Sequence, residues 1–178
     1  MGCIYSKDDI TLKPFDYFSS DDLSKYKEWM QDLEVTKYNS HGLFPKMYNE
    51  INDFIEGAIY SKKQVTWQIY YKEEFIGMCS LQGINWINRS GEVAIYVGEK
   101  SLWGKGISRT AVKFMLMHGF ERLGLNRIWS GTASKNIGMN KIFTQLGFVK
   151  EGVFVDGAFL NGEFEDINSY ALLRYQYD

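Results

Sequence analysis

A glycine-rich stretch, Gly104-Lys105-Gly106, is the part of the sequence whose residue types and spacing most clearly predict chemistry. An apolar run ending at Val97 precedes it, and a segment with helical spacing begins directly after it. Glycine lets a backbone approach a bulky anion, and the first N–H groups and the dipole of a helix favour negative charge. The stretch therefore predicts a strand–loop–helix site for a pyrophosphate, although Gly-x-Gly before a helix also fits a simple tight turn.

The elements that must position this stretch follow from hydrophobic periodicity and turn residues. Strand-like runs lie at Ile10–Pro14, Val65–Tyr71, Phe75–Leu81, Glu92–Val97, Arg127–Thr132, Phe148–Phe159 and Phe164–Tyr175. Helical spacing follows a cap at Ser20 and a start at Pro45, and it returns from Gly104 to about Leu123 and over Asn140–Leu146. This order of strands and helices predicts an α+β fold with a mixed sheet flanked by helices.

Length and composition favour a single globular domain over all 178 residues. The net charge is −2 and no long run of Lys or Arg occurs, which argues against a nucleic-acid-binding surface. Cys3 and Cys79 lack the spacing of a metal site or a disulfide framework, so we expect no metal and a reducing, cytoplasmic compartment. No apolar run is long enough to span a bilayer, although Met1–Ser6 fits the N-myristoylation pattern that would anchor a chain to a membrane.

A second motif follows the glycine-rich stretch after a predicted helix and strand. It opens with Asn136, closes with Gly147-Phe148, and is followed by Glu151-Gly152. Together with the segments LWGKGI, LGLNRI, LGFVKEG and NGEFED, the two motifs resemble the GNAT acetyltransferase superfamily over about residues 10–174. The likeness is to the branch that holds ribosomal-protein alanine, spermidine and nucleotide-linked amino-sugar acetyltransferases.

The resemblance implies an acetyl-CoA-dependent N-acetyltransferase with a twisted mixed sheet of about six or seven strands and about four helices. Its cofactor-binding core would lie between about Val93 and Phe148. By position in the family motifs, the implied cofactor-binding residues are Tyr96, Val97, Gly104, Lys105, Gly106, Ile107, Ser108, Asn136, Lys141 and Phe143. The N–H groups of the loop would hold the CoA pyrophosphate, and main-chain groups near Tyr96 and Val97 would face the pantetheine arm.

Two positions depart from the family pattern. Ser101 stands where the family prefers Gln or Arg, and Phe143 stands where many members have a tyrosine. In the family that tyrosine often protonates the leaving thiolate, and a phenylalanine cannot do so. The resemblance therefore leaves the general acid of this chain unassigned.

Acetyl transfer to an amine requires that the ammonium lose a proton, which a carboxylate can accept directly or through water. Glu92 opens the strand before the glycine-rich stretch, where family members often keep a glutamate, and it is the first candidate. Asp166, next to Glu165 on the last predicted strand, is the second candidate. Glu92 could equally be a solvated charge at a strand end, whereas Asp166, and Glu165 as a candidate beside it, could equally bind a substrate hydroxyl or amine.

The acceptor is expected to be a small-molecule amine, with a nucleotide-linked amino sugar first. The residues predicted to bind it are His41, Phe44, Trp67, Trp86 and Tyr170, whereas His118 is predicted to be a packing or surface residue. A protein N-terminus and a polyamine are the alternatives, and an acidic stripe of Glu50, Asp53 and Glu56 would suit the polyamine. A CoA-binding sensor that no longer catalyses is the alternative outside enzymology. The resemblance also makes a homodimer an expectation.

Overall fold

Eight strands form one twisted sheet in the computed structural model, which describes residues 4–16, 18–39, 53 and 56–177. The strands are β1 (Tyr5–Lys7), β2 (Ile10–Pro14), β3 (Val65–Tyr71), β4 (Glu74–Asn85), β5 (Ser90–Val97), β6 (Arg127–Ala133), β7 (Val149–Leu160) and β8 (Glu163–Leu173). Their order across the sheet is β1-β2-β3-β4-β5-β6-β8-β7. All neighbours are antiparallel except β5 and β6, which are parallel, so the sheet is mixed as predicted.

Helices lie on both faces of the sheet. They are α1 (Ser20–Gln31), α2 (residues 56–60), α3 (Ile107–Met117) and α4 (Ile137–Gln145). Helix α1 is capped by Ser19, whose hydroxyl accepts the Asp22 N–H at 3.1 Å, so the cap precedes the predicted Ser20 by one residue. Helix α3 continues as a π-helical turn over His118–Arg122, which accounts for the predicted end near Leu123.

The differences from the predicted elements have local causes. Strand β1 was not predicted, because three residues with one apolar side chain carry too weak an alternation to be recognised. Helix α4 begins at Ile137, before the predicted Asn140, because Asn136 caps it by accepting the Met139 N–H. The helix predicted to start at Pro45 lies largely outside the described residues, as do His41, Phe44 and Met1–Cys3.

Two apolar clusters cover opposite faces of the sheet. The larger joins β-strand residues such as Val93 and Ile128 to Ile107 and Ala111 of α3. The smaller joins Phe75 and Met78 to Tyr26 and Trp29 of α1. Apolar burial on both faces explains why the central strand β4 reads as a nearly continuous apolar run.

Trp67 is a core residue, and this corrects its predicted role in stacking on an acceptor. Its side chain is only 1% exposed, and its ring lies 4.9 Å from that of His118. The hydroxyl of Tyr5 lies 2.7 Å from Nδ1 of the same histidine. His118 is thus a buried packing residue, as predicted, and it anchors β1 to the end of α3. Among the described residues, no helix is long and apolar enough to cross a membrane.

Candidate functional site

A cleft opens where the parallel strands β5 and β6 separate. The two strands pair only from Ser90 with Arg127 to Glu92 with Trp129. Beyond that point, residues 93–97 and 130–132 form facing walls of a cavity of about 940 Å³. This volume lies toward the upper end of the roughly 300–1,000 Å³ typical of ligand clefts. The separation thus leaves room for a large ligand between two strands of one sheet.

The two faces of β5 lead to different sides of the molecule. Val93 and Val97 belong to the apolar cluster under α3, whereas Tyr96 packs in the cluster under α1. Because side chains alternate along a strand, Glu92 projects to the same face as Tyr96. The cleft therefore connects the α3 face of the sheet to the α1 face.

The main chain of β5 supplies polar groups to the cleft. Gly98 N–H donates to Ile76 C=O at 2.8 Å, and the antiparallel alternation then directs the backbone groups of residues 93, 95 and 97 away from β4. The Val93 carbonyl accepts the Ser130 hydroxyl at 2.9 Å, and the Val97 carbonyl accepts the Trp103 indole N–H at 2.8 Å. Ile95, between these two capped carbonyls, therefore has its N–H and C=O facing the gap.

The α3 end of the cleft suits a polyanion. Gly104 and Gly106 have φ of +77° and +80°, which L side chains rarely adopt, so the loop needs glycine at both positions. Gly106 is the N-cap of α3 and provides no side-chain cap, so the first N–H groups of the helix face the cleft. Lys105 and Arg109 line the cleft beside these amides, and Lys141 lines it from α4, so all three add positive charge. Backbone amides, a helix dipole and three cations together fit the phosphates of acetyl-CoA.

The opposite wall is formed by the end of β6 and by α4. Asn136 lines this wall, but its side-chain oxygen accepts the Met139 N–H at 3.2 Å as a helix cap. Phe143 also lines it, is 1% exposed, and packs against Phe148 and Tyr170. Its ring therefore shapes the cleft without offering a hydroxyl.

The α1 face of the cleft carries acidic and polar side chains. The Glu92 carboxylate accepts the Gln82 side-chain N–H at 3.2 Å, at the point where the strands separate. Tyr96 forms the neighbouring wall, and burial, with a smaller effect of Tyr26, raises the pKa of its phenol well above the ordinary value. Tyr96 therefore remains protonated and cannot act as a base at neutral pH, whereas Glu92 offers a carboxylate.

A segment after α1, residues 34–39, crosses the mouth of the cleft and lines it at Glu34, Val35, Lys37, Tyr38 and Asn39. Three contacts hold this strap in place. On the β5 side, Lys100 Nζ lies 2.8 Å from Asp32 and 3.0 Å from Glu34. On the β6 side, the Tyr38 hydroxyl donates to the Lys135 carbonyl at 3.0 Å. From the β7–β8 turn, the Asn161 side chain donates to the Lys37 carbonyl at 2.8 Å.

Three residues predicted for the site lie away from the cleft. The Asp166 carboxylate accepts the Asp156 N–H at 3.0 Å, where it supports an irregular part of β7. Tyr170 is buried, and its hydroxyl donates to the Asn140 side chain at 2.9 Å. Trp86 lies on the β4–β5 turn, where its indole N–H donates to the Lys62 carbonyl. The structure thus brings together Glu92 and the predicted cofactor-binding residues, but not Trp67, Trp86 or Tyr170, whereas His41 and Phe44 lie outside the described residues.

The strap, Trp103, Arg109, Ser130 and Thr132 line the cleft and were not predicted. The strap carries no motif, and its position depends on tertiary contacts with loops distant in the sequence. Arg109 could have been found from the sequence, because it stands one helical turn after the glycine-rich stretch. Among the described residues, no cluster of three or more His, Cys, Asp or Glu side chains is arranged to hold a metal ion.

Solved structures share this fold. The spermidine N-acetyltransferase of Vibrio cholerae, in complex with CoA and spermine, matches with a TM-score of 0.81 over 95% of this chain and 98% of that one. The sequence identity is 24%, so the likeness concerns the fold. It confirms the predicted GNAT architecture, with eight strands where about six or seven were expected.

Curated relatives are acetyltransferases. The uncharacterized N-acetyltransferase p20 of Bacillus licheniformis is 32% identical over 94% of both chains. The spermidine N(1)-acetyltransferase of V. cholerae is 32% identical over 60% of this chain and 61% of its own length. The ribosomal-protein-serine acetyltransferase of Escherichia coli is 29% identical over 58% of this chain and 57% of its own. Because the model of the acetyltransferase (GNAT) domain matches residues 10–149, the chain belongs to the GNAT acetyltransferase family.

Proposed function

We propose that the chain transfers the acetyl group of acetyl-CoA directly to a primary amine that carries additional positive charge, a polyamine being the first candidate. The observation that carries this proposal is the single cleft that joins a cationic, amide-rich end at α3 to the Glu92 carboxylate on the opposite face of the sheet. Acetyl-CoA supplies an activated thioester. The protein must hold it, polarise it and deprotonate the acceptor.

In this proposal each part of the cleft has one task. The amides at the start of α3, with Lys105, Arg109 and Lys141, hold the phosphates. The Ile95 and Val97 N–H groups face the gap and are placed to polarise a carbonyl oxygen within it. Glu92 accepts the proton of the amine, directly or through water, as the C–N bond forms and the C–S bond breaks. The donor that returns a proton to the CoA sulfur stays unassigned, since Phe143 cannot serve.

Charge at the α1 face favours a cationic acceptor. Glu34 and Glu92 both line the cleft, and Glu34 is 62% exposed beside its ion-pair partner Lys100. Lys37 is the opposing charge on the same strap. Similarity to a spermidine acetyltransferase supports the same acceptor class. A protein N-terminus is the second candidate, because a ribosomal-protein-serine acetyltransferase is also similar.

The amino-sugar acceptor loses its structural basis. Its predicted stacking residues Trp67 and Trp86 lie in the core and on a distant turn, and Phe44 lies outside the described residues. The relatives also give it no support. The acidic stripe predicted for a polyamine is described only at Asp53 and Glu56, both exposed, so the polyamine proposal rests on Glu34 and Glu92 instead.

Calorimetric titration with acetyl-CoA, CoA and desulfo-CoA, together with a thiol-release assay, tests the proposal. The acceptor panel holds polyamines, peptides with free N-termini and amino-sugar nucleotides. We expect acetyl-CoA binding and rapid thiol release with polyamines. Release with peptides alone would favour the second candidate. Tight binding without turnover on any amine would favour a CoA sensor, and absence of binding would contradict the proposal.

A homodimer and a cytoplasmic location stay predictions. Exposed aromatic side chains on β7 and β8, at Phe154, Phe159 and Phe164, support a pairing surface at this end of the sheet. Light scattering coupled to size-exclusion chromatography would measure the oligomeric state.

A further inference from the structure

We infer that Asn140 is a positioning residue that fixes the α4 wall of the acetyl-CoA cleft, and this inference rests on the proposed use of that cleft. Asn140 lies in the first turns of α4 and does not line the cleft itself. Thr132, Asn136 and Gly138 do line it, on the segment where β6 ends and α4 begins. The question is what holds this segment in place.

The Asn140 side chain makes hydrogen bonds in two directions. Its Nδ2 donates to the carbonyls of Ala133, Ser134 and Asn136, at 3.0, 3.3 and 2.7 Å. Its Oδ1 accepts the Asn168 amide at 2.7 Å and the Tyr170 hydroxyl at 2.9 Å. Since a carboxamide has two N–H hydrogens and two lone pairs on its oxygen, the whole capacity of the side chain is used.

These contacts join three elements. The carbonyls belong to the end of β6 and the cap of α4, while Asn168 and Tyr170 are buried on β8. Asn136 spends its own side chain as the helix cap, so it does not fix its own carbonyl. The Asn136 carbonyl accepts the Asn140 backbone N–H at 3.1 Å and the Asn140 side chain at 2.7 Å, so Asn140 helps to set the position of Asn136 at the cleft.

Only a short carboxamide satisfies this environment. Alanine removes the side-chain donor to the three carbonyls, of which Ala133 and Asn136 keep backbone donors, and it leaves the buried Asn168 and Tyr170 donors without this acceptor, which costs binding or stability. A carboxylate would place negative charge against three carbonyl oxygens, whereas a protonated carboxyl group can still donate to one of them. Asn140→Asp is therefore expected to work in acid and to fail as the new group ionises. The Asn140 side chain contacts the titratable group of Tyr170 on β8. The nearby loop residue Lys135 pairs with Glu163 and Glu165 of β8, and these ion pairs are the same in wild type and in Asn140→Asp.

The test compares Asn140→Ala, Asn140→Asp and Tyr170→Phe with wild type, and takes Thr144→Ala, an exposed change one turn further along α4, as the control. Acetyl-CoA Kd, KM, kcat and Tm are measured for each protein. We expect Asn140→Ala to raise Kd and KM for acetyl-CoA about tenfold with a smaller effect on kcat. Tyr170→Phe keeps the ring against Phe143 and removes one donor, so we expect about a threefold rise. Thr144→Ala should match wild type.

The pH profile separates positioning from general stability. Relative to wild type at each pH, the Kd of Asn140→Asp should rise about tenfold between about pH 6 and about pH 9. An Asn140→Ala protein with lowered Tm and unchanged Kd, or an Asn140→Asp protein whose Kd equals that of wild type at every pH, would overturn the inference. A Kd that is raised equally at every pH would show that the new carboxyl group is ionised throughout, and it would support the inference. If Asn140→Ala does not fold, Tyr170→Phe and Asn140→Asp decide in its place. Failure of wild type to bind acetyl-CoA would overturn the proposed function and this inference together.

Discussion

At the scale of single residues, the proposed role of Glu92 as general base follows from its position where β5 and β6 separate. It is the last residue of β5 paired with β6, and Gln82 on β4 orients its carboxylate. It reaches the α1 face, while the amides proposed to bind the phosphates lie on the α3 face. A base placed there can reach the acceptor amine without touching the nucleotide.

Glu92→Gln should therefore lower kcat by about 10²- to 10⁴-fold, the usual contribution of a general base, because an amide cannot take the amine proton. Acetyl-CoA Kd should stay within about twofold, since the phosphate contacts are intact. Stopped-flow thiol release and calorimetry measure the two quantities. Glu28→Gln, an exposed change on α1, is the matched control. Full turnover by Glu92→Gln would remove Glu92 from the mechanism.

His118 is a second residue whose environment predicts a measurable effect. Burial, and secondarily the charge of Arg122, lower its pKa from 6.5. Its Nδ1 lies 2.7 Å from the Tyr5 hydroxyl in this buried environment. The folded protein therefore resists protonation that the unfolded chain accepts, and stability falls as pH drops below about 6.5.

Between about pH 7.5 and about pH 5.5, wild type should lose more of its Tm than His118→Gln does. A difference of roughly 2–4 °C corresponds to about 1 kcal/mol in a domain of this size. Calorimetric scans of both proteins across this range give the comparison, in which all other titrating groups are shared. Equal losses would show that His118 does not contribute to acid sensitivity.

At the scale of elements, the backbone conformation of the loop before α3 determines how this loop faces the cleft. Gly104 and Gly106 adopt left-handed φ, and this bends the chain so that the first amides of α3 face the cleft. The same loop begins at Gly98, which packs directly against Trp29 of α1. A Cβ added at Gly98 would lie 2.0 Å from a ring atom of Trp29. The absence of a side chain at Gly98 therefore lets the start of the loop pack closely against α1.

Gly106→Ala should weaken acetyl-CoA binding about tenfold. A left-handed alanine costs about 1–2 kcal/mol, and the loop can relieve this cost by turning its amides away from the phosphates. Gly124→Ala provides the control, because Gly124 also has a positive φ, +64°, but lies outside the cleft. Both variants should lose similar stability in urea, while calorimetry should find weaker binding only for Gly106→Ala. Equal Kd values for the two would contradict an amide-based phosphate site.

At the scale of the whole molecule, the site uses both faces of one sheet and a strap that crosses between distant loops. Lys100 ties the strap to the β5–α3 loop, and its hydrogen bonds with Asp32 and Glu34 raise the pKa of the lysine, so it stays charged. Tyr38 ties it to the loop that carries Asn136. Access of the acceptor therefore depends on contacts between segments far apart in the sequence.

Lys100→Met should raise KM for the acceptor about two- to fivefold, the effect expected from exposed ion pairs, and leave acetyl-CoA Kd nearly unchanged. Salt at about 0.5 M should reduce the difference from wild type, because screening already weakens the pairs. Steady-state kinetics with each substrate varied in turn provides the measurement. Lys113→Met, an exposed change on α3, is the control. An equal rise in acetyl-CoA Kd would indicate damage to the phosphate loop instead of the strap.

The sequence by itself determined the family, the order of the major elements and the glycine-rich end of the cleft. These features depend on residues that are close in the sequence. Gly104 and Gly106 directly precede the helix whose amides they expose, and the β-branched residues of β3 and β5 are enough to predict strands. Only the tertiary structure decided which residues line the rest of the cleft. Trp67 and Trp86 looked like a stacking surface because side-chain type does not reveal which sheet face or turn a residue occupies. Glu34 and Tyr38 line the same cleft as Glu92, although they lie far from it in the sequence. Asn140 likewise connects β8 to the end of β6. In both cases long-range packing brings together residues that no local pattern connects.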